Sequence, residues 1–239
     1  MEVSRYRPDV EESWPSDFSQ GDIEDICAVR PFTMTRPERV VALIRAVEYV
    51  QAARIPGAIV ECGVWKGGSM MAVALTLRRL GCLERDLWLY DTFEGMPRPI
   101  AEDVDYKGEK AEPLFEEWRR GEDSSSWCFS PLAEVEQNVS GTAYPRERLR
   151  FVKGKVEDTV PGELPDRIAL LRLDTDWYES TKHELVHMYP RLAPGGVLVL
   201  DDYGYWRGAR KAVDEFVAGL PEPLLLNRID HSCRIAVKR

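Results

Sequence analysis

The sequence predicts an α/β fold built on a doubly wound, mostly parallel sheet of seven strands, closed by an antiparallel strand pair at its C-terminal end. Three observations predict it. Short β-rich runs alternate with helix-forming segments from residue 58 to residue 217, the pattern of right-handed crossovers in a parallel sheet. Several of those runs end abruptly in an acid, at Glu61, Asp91, Asp174 and Asp201, and open parallel sheets bind ligands outside the carboxyl ends of their strands. Two late β-like runs, residues 224–226 and 233–237, follow the last helix. The 239 residues suffice for one large domain with a sizeable core, and neither a repeat nor a linker divides them.

Residues 1–30 are polar and acidic, with Trp14 and Phe18 among eight carboxylates, and are read as an N-terminal arm or a lid. The single domain then runs from 31 to 239. Thr35 is expected to cap a helix that starts at Pro37-Glu38, carries Val40, Leu43, Ile44, Val47 and Val50 at helical spacing, and stops at Pro56-Gly57. The first strand, 58–62, reaches Glu61 and a glycine-rich turn, Gly63-Val64-Trp65-Lys66-Gly67-Gly68-Ser69, before a helix from Met70 to Leu80. The second strand, Leu87-Trp88-Leu89-Tyr90, ends at Asp91. Residues 98–130 are long, charged and irregular, the mark of an active-site insertion. A short helix from Leu132 to Val139 closes at Gly141, and the third strand runs to a turn at Gly154-Lys155-Val156. The fourth strand, Ile168 to Leu173, precedes Asp174-Thr175-Asp176 and a helix through Met188. Pro194-Gly195-Gly196 reads as a tight turn before the fifth strand and Asp201-Asp202, and Gly208 to Val217 as the last amphipathic helix.

Composition narrows the function. A net charge of -9 disfavours a nucleic-acid backbone or an anionic membrane surface as partner. No apolar run approaches the ~20 residues of a membrane span, and the first residues lack the apolar core of a signal peptide. Five scattered cysteines without CxxC spacing fit free thiols in a reducing cytoplasm.

Two strand ends pose the main chemical question. Asp174 and Asp176 close one apolar run, Asp201 and Asp202 another. Four anions at one sheet edge repel one another unless a cation or hydrogen bonds compensate. The glycine turn is not a dinucleotide GxGxxG; with Glu61 beside it, it suits a ligand with a positive or zwitterionic end. An acid at the end of the second strand, here Asp91, commonly takes ribose hydroxyls. Each single acid also has a plain structural reading, and Asp176 ahead of Glu179 resembles a helix cap. His183, His187 and Lys182 read as surface or packing residues. Trp177 and Tyr203 read equally as sugar platforms and as core aromatics.

Five motifs resemble the macrocin O-methyltransferase (TylF) family of S-adenosylmethionine-dependent class I, Rossmann-like methyltransferases. They are Pro31-Phe32-Thr33-Met34-Thr35, Val60 through Ser69, Tyr90-Asp91-Thr92-Phe93-Glu94-Gly95-Met96, Asp174-Thr175-Asp176-Trp177-Tyr178-Glu179-Ser180-Thr181, and Pro194-Gly195-Gly196 through Asp201-Asp202-Tyr203-Gly204. The resemblance implies methylation of a sugar hydroxyl in antibiotic biosynthesis, with S-adenosylmethionine and magnesium as cofactors. It implies that Thr33, Met34, Glu61, Gly63 and Ser69 hold the methionine end, that Asp91 with Thr92 takes the ribose, and that Gly154, Lys155 and Val156 border the adenine. Asp174, Asp201 and Asp202 are then assigned to the metal, Asp174 also touching the cofactor, with room left for two substrate oxygens. Asp176 is the candidate general base, and Asp174 could exchange that role with it without changing the pattern. The expected acceptor is a glycoside or a nucleotide sugar, and the expected assembly a homodimer or larger homo-oligomer. A catechol-type, magnesium-dependent O-methyltransferase and a non-catalytic metabolite-binding module are the alternatives.

Overall fold

The computed structural model describes residues 14–239. In chain order it comprises α1 (Gln20–Val29), α2 (Pro37–Ala52), β1 (Ala58–Cys62), α3 (Gly68–Arg79), β2 (Leu87–Asp91), α4 (Glu112–Trp118), α5 (Leu132–Ser140), β3 (Leu149–Lys153), α6 (Val156–Thr159), β4 (Ile168–Leu173), α7 (Tyr178–Met188), β5 (Leu192–Leu200), α8 (Arg207–Ala218), β6 (Asn227–Arg228) and β7 (Arg234–Val237). One seven-stranded sheet has the order β3-β2-β1-β4-β5-β7-β6. The first five strands are parallel, and β7 runs antiparallel to both β5 and β6. From β1 the chain first builds outward through β2 and β3, then returns to lay β4 on the other side. That reversal between β1 and β4 opens a crevice at their carboxyl ends.

Alternation along the strands feeds two cores. Ile59, Leu87, Leu89, Leu170, Val197 and Val199 face α1, α2, α3 and α5, whereas Val60, Cys62, Tyr90, Leu171 and Leu198 face α6, α7 and α8. Burial on both faces explains why the central strands read as continuous apolar runs. Within the part of the N-terminal arm that is described, Ser19 and Asp22 form a capping box that starts α1, and Ile26 and Val29 are buried against the first core; residues 1–13 lie outside the described residues. The 98–130 segment folds around α4 and the fully buried Phe115, with short bridges at Val104–Lys110 and Arg119–Ser125. No helix among the described residues is long and apolar enough to cross a membrane.

Three local expectations are corrected. Arg36, not Thr35, is the N-cap of α2; the Thr35 amide donates to Thr33 Oγ1 at 3.1 Å, so the threonines close their own turn and leave Pro37 to open the helix. Pro194-Gly195-Gly196 lies inside β5 rather than before it. The β4–β5 register shifts there, Gly195 takes φ +78°, and its amide donates to the Lys238 carbonyl, so the glycines form a bulge. The outermost strand is Asn227–Arg228, not residues 224–226: Leu224 and Leu226 pack on the second core instead of pairing.

Gly63 is the tightest point of the crevice. It has φ +80°, and a Cβ built on it would lie 2.0 Å from the Asp174 carbonyl oxygen. Gly63→Ala is therefore expected to lower stability by more than about 2 kcal/mol, combining backbone strain with a clash between two strands. Denaturant unfolding checks this, and a loss under about 0.5 kcal/mol, the size of an ordinary surface change, would contradict it.

Candidate active site

A cleft of about 1880 Å³ lies over the carboxyl ends of β1, β2, β4 and β5. One half is built by the glycine turn. The Asp91 carboxylate accepts the amides of Val64 at 2.7 Å, Trp65 at 3.0 Å and Phe93 at 2.7 Å, so it ties the turn to the end of β2. Thr92 Oγ1 donates to the Gly95 carbonyl at 2.7 Å and holds the next turn. At Gly68 a Cβ would stand 2.5 Å from the Phe32 carbonyl; its absence lets residues 32–34 close over the first turn of α3. Thr33, Met34, Gly63, Ser69, Asp91, Thr92, Gly154, Lys155 and Val156 consequently all line one cleft. Lys155 Nζ reaches Asp123 at 2.8 Å, which draws the 98–130 insertion to the same rim.

Glu61 is placed differently. It is 1 % exposed, and its Oε1 accepts from Arg172 Nη1 at 2.6 Å. It lies beneath the turn, and burial pushes its carboxyl up to about 7.

The other half of the cleft holds the acids. Asp174, Asp201 and Asp202 each present a carboxylate oxygen, all within 4.8 Å of one another. Contrary to the expectation of acids without a counter-charge, two arginines stand among them. Arg172 of β4, 4 % exposed, donates through Nη1 to Asp174 Oδ2 and through Nη2 to Asp201 Oδ1, both at 2.7 Å, in addition to Glu61. Arg39 of α2 donates to Asp201 Oδ2 and, through Nε at 2.7 Å, to Asp230 Oδ2. A lone arginine inside an apolar strand was the signal in the sequence: buried parallel strands rarely carry one unless it is paired.

Two guanidiniums face six carboxyls, Glu61, Asp174, Asp176, Asp201, Asp202 and Asp230. Burial, with crowding by neighbouring carboxylates, pushes Asp174 and Asp202 well above the usual carboxylate range and Asp176 up to about 8. Three hard oxygen donors with residual mutual repulsion fit a divalent cation such as magnesium.

Asp176 sits at φ +66°, and its amide donates to Asp202 Oδ2 at 3.3 Å. It is not the helix cap. Trp177 holds the N-cap position of α7 without a side-chain bond, and the Tyr178 amide is instead taken by Asp103 of the insertion at 2.8 Å. Of the aromatics, Trp177 is core: it is 3 % exposed and donates from Nε1 to the Pro97 carbonyl at 3.1 Å. Tyr203 bonds Asp214 at 2.7 Å, and neither lines the cleft. Tyr106, Trp127, Tyr205 and Trp206 do, with ring centroids 5.1–6.2 Å apart along the wall from Tyr106 through Tyr205 and Trp206 to Trp127. His183 bonds the Val160 carbonyl at 2.8 Å and stacks near His187, and Lys182 pairs with Glu215 at 3.0 Å, all away from the acids. His231, which the sequence reading did not single out for the site, lines it.

A seven-stranded sheet of this order, with a glycine turn after β1 and acids after β4 and β5, is the class I methyltransferase fold. The model of the macrocin O-methyltransferase (TylF) family matches residues 22–237, and the chain belongs to that family. It is 36% identical over 194 residues, 80% of this chain and 70% of the other, to an 8-demethyl-8-(2,3-dimethoxy-alpha-L-rhamnosyl)-tetracenomycin-C 4'-O-methyltransferase of Streptomyces olivaceus. It is 34% identical over 184 residues, 77% and 69% of the two chains, to the mycinamicin III 3''-O-methyltransferase of Micromonospora griseorubida. The solved structure of the O-methyltransferase NovP superposes with a TM-score of 0.76 at 31% identity, covering 87% of this chain and 82% of that one.

The raised carboxyls predict a pH dependence. A group whose pKa is higher in the folded than in the unfolded state binds more protons when folded, so the stability it contributes is lost as pH rises between the two values. For Glu61 that window runs from 4.5 to about 7, and for Asp176 from 3.8 to about 8. Metal-free protein should therefore lose stability from about pH 4 to pH 8. Because ligands must deprotonate to bind metal, added magnesium should raise Tm at pH 8 and hardly at pH 5. Thermal unfolding at the two pH values checks both; equal magnesium shifts would contradict the assignment of the raised carboxyls of Asp174 and Asp202 to a cation.

Proposed function

We propose that the protein transfers the methyl group of S-adenosylmethionine to a hydroxyl of a sugar in a natural-product glycoside, with magnesium bound by Asp174, Asp201 and Asp202. The observation that carries the reading is the meeting, in one cleft, of the glycine turn with a cluster of acids incompletely neutralised by Arg39 and Arg172. Thr33, Met34, Gly63 and Ser69 hold the methionine end, and Glu61 acts from below by fixing Arg172. Asp91 and Thr92 set the ribose side and the turn itself. Gly154, Lys155 and Val156 border the adenine. S-adenosylmethionine supplies an electrophilic methyl group on a sulfonium. The cation, when bound, supplies Lewis acidity that makes the acceptor hydroxyl easier to deprotonate. Asp176 takes the proton as the hydroxyl oxygen forms its bond to the methyl carbon and the carbon–sulfur bond breaks. Burial holds Asp176 near 8, which makes it a far better base than an exposed carboxylate of pKa ~4.

One feature favours a finished glycoside over a nucleotide sugar. Tyr106, Trp127, Tyr205 and Trp206 offer an aromatic wall suited to an apolar aglycone. The test is an acceptor panel of rhamnosyl and other deoxysugar glycosides, TDP-rhamnose and a simple catechol, read by mass spectrometry for the gain of one methyl group. Methylation of glycosides with TDP-rhamnose and catechol untouched is expected. Preferential methylation of the catechol would overturn the sugar reading, and that of TDP-rhamnose the finished-glycoside reading.

A further inference from the structure

Glu184 has no part in the chemistry described so far, and its placement is costly. It belongs to the inward face of α7 with Thr181, Leu185 and Met188, and is fully buried. Its surroundings are largely apolar: Cys62, Leu185 and Met188 belong to the second core, with the Cys62 thiol, 3.6 Å from Met188 Sδ, as a weak polar neighbour of the carboxyl. Oε1 has no hydrogen-bond partner. Oε2 has one, the hydroxyl of Thr175 at 3.2 Å. Buried polar atoms are almost always paired, and an exception in a native fold calls for a reason other than stability. An apolar side chain would suit α7 better at this point.

The bond to Thr175 supplies the reason. Thr175 stands between Asp174 and Asp176. Its carbonyl accepts the Trp177 amide at 2.7 Å and faces Ser180 Oγ at 3.4 Å. Its side chain is held from beneath by Glu184, while its neighbour Asp176 takes the left-handed backbone at φ +66°, a conformation that an L-residue keeps only when its surroundings enforce it. Burial pushes the Glu184 carboxyl well above its usual range, which disfavours a further negative charge under the acid cluster.

The geometry points to Glu184 as a positioning residue for methyl transfer: through its hydrogen bond to Thr175 it fixes the turn that aims Asp176 at the acceptor hydroxyl. This rests on the reading of Asp176 as the base. The mechanism requires only the bond and not a charge, so Glu184→Gln, which keeps an acceptor oxygen in the same place, is expected to retain most of the turnover.

The test compares Glu184→Leu and Thr175→Val with the wild-type chain by crystal structure, by Tm and by kcat and KM on the best acceptor of the panel above. Glu184→Leu removes a buried carboxyl with one unpaired oxygen from a largely apolar face, so Tm should hold or rise. Both variants should displace Asp176 from its left-handed conformation and lower kcat by roughly tenfold to a hundredfold with KM little changed, as expected when a reacting group is misplaced by about 1 Å. The double variant should be no worse than either single one, because both cut the same bond. A purely structural Glu184 gives the opposite split, a lower Tm with kcat per folded molecule intact. If Asp176 and kcat are unchanged in Thr175→Val, the proposal is overturned, and that variant decides even if Glu184→Leu does not fold. Full turnover in Asp176→Asn would sink the base assignment instead, so the two failures are told apart.

Discussion

Asp176→Asn is expected to lower kcat by about two to four orders of magnitude, the usual worth of a positioned general base, while the magnesium-induced rise in Tm persists. The geometry separates the two acids that the sequence pattern left interchangeable. Asp174 Oδ2 is held by Arg172 at 2.7 Å, which ties that oxygen into the ionic network and leaves it less free to turn to an acceptor hydroxyl. Asp176 has no arginine partner among the described ion pairs, and burial beside other carboxylates raises its proton affinity to near neutral pH. Asp174→Asn should accordingly lose the magnesium response, and Asp176→Asn should not. The pair is read by steady-state kinetics together with thermal unfolding in magnesium and in chelator. Equal loss of the magnesium response in both variants would reverse the assignment.

Arg172→Met should destabilise the fold by about 3–5 kcal/mol, the cost of removing one partner from a buried ionic network. One guanidinium joins the ends of β1, β4 and β5 through Glu61, Asp174 and Asp201. Without it three carboxylates, those of Glu61 and Asp201 fully buried, lose their shared donor. In a domain of this size the change corresponds to a Tm lower by roughly 10 °C. The deficit should shrink at low pH, where protonation removes the charges left unpaired. Arg172→Lys should recover only part of the loss, because a single ammonium cannot reproduce a planar fork aimed at three carboxylates. Denaturant unfolding of the two variants checks this, and a loss below about 1 kcal/mol for Arg172→Met, the usual worth of an exposed pair, would mean that the network is dispensable.

What the sequence disclosed was local. The five parallel strands, the helices α2, α3, α5, α7 and α8, the glycine turn after β1 and the acids at the ends of β2, β4 and β5 each rest on a few consecutive residues and lie close to where the sequence placed them, whereas α1, α4 and α6 fall in stretches for which it predicted no helix. What it concealed depended on distance along the chain. Arg39 meets Asp201 across 162 positions and Asp230 across 191, and no spacing rule links them. Glu61 sits at a strand end like the other acids, yet it is buried against Arg172 beneath the glycine turn and does not itself line the cleft. The aromatic wall draws Tyr106 and Trp127 from the irregular insertion and Tyr205 and Trp206 from the start of α8, so composition marked the insertion as functional but not which rings would face the ligand. At β5 a proline and two glycines carry the local signature of a turn, and only pairing with the C-terminal residues makes them a bulge.

The most direct measurement is methyl transfer from isotopically labelled S-adenosylmethionine to a deoxysugar glycoside by protein stripped with chelator, before and after magnesium is restored. The account predicts negligible transfer from the stripped protein, recovery with magnesium, and no recovery in an Asp202→Asn variant. Undiminished transfer by the metal-free protein would contradict it.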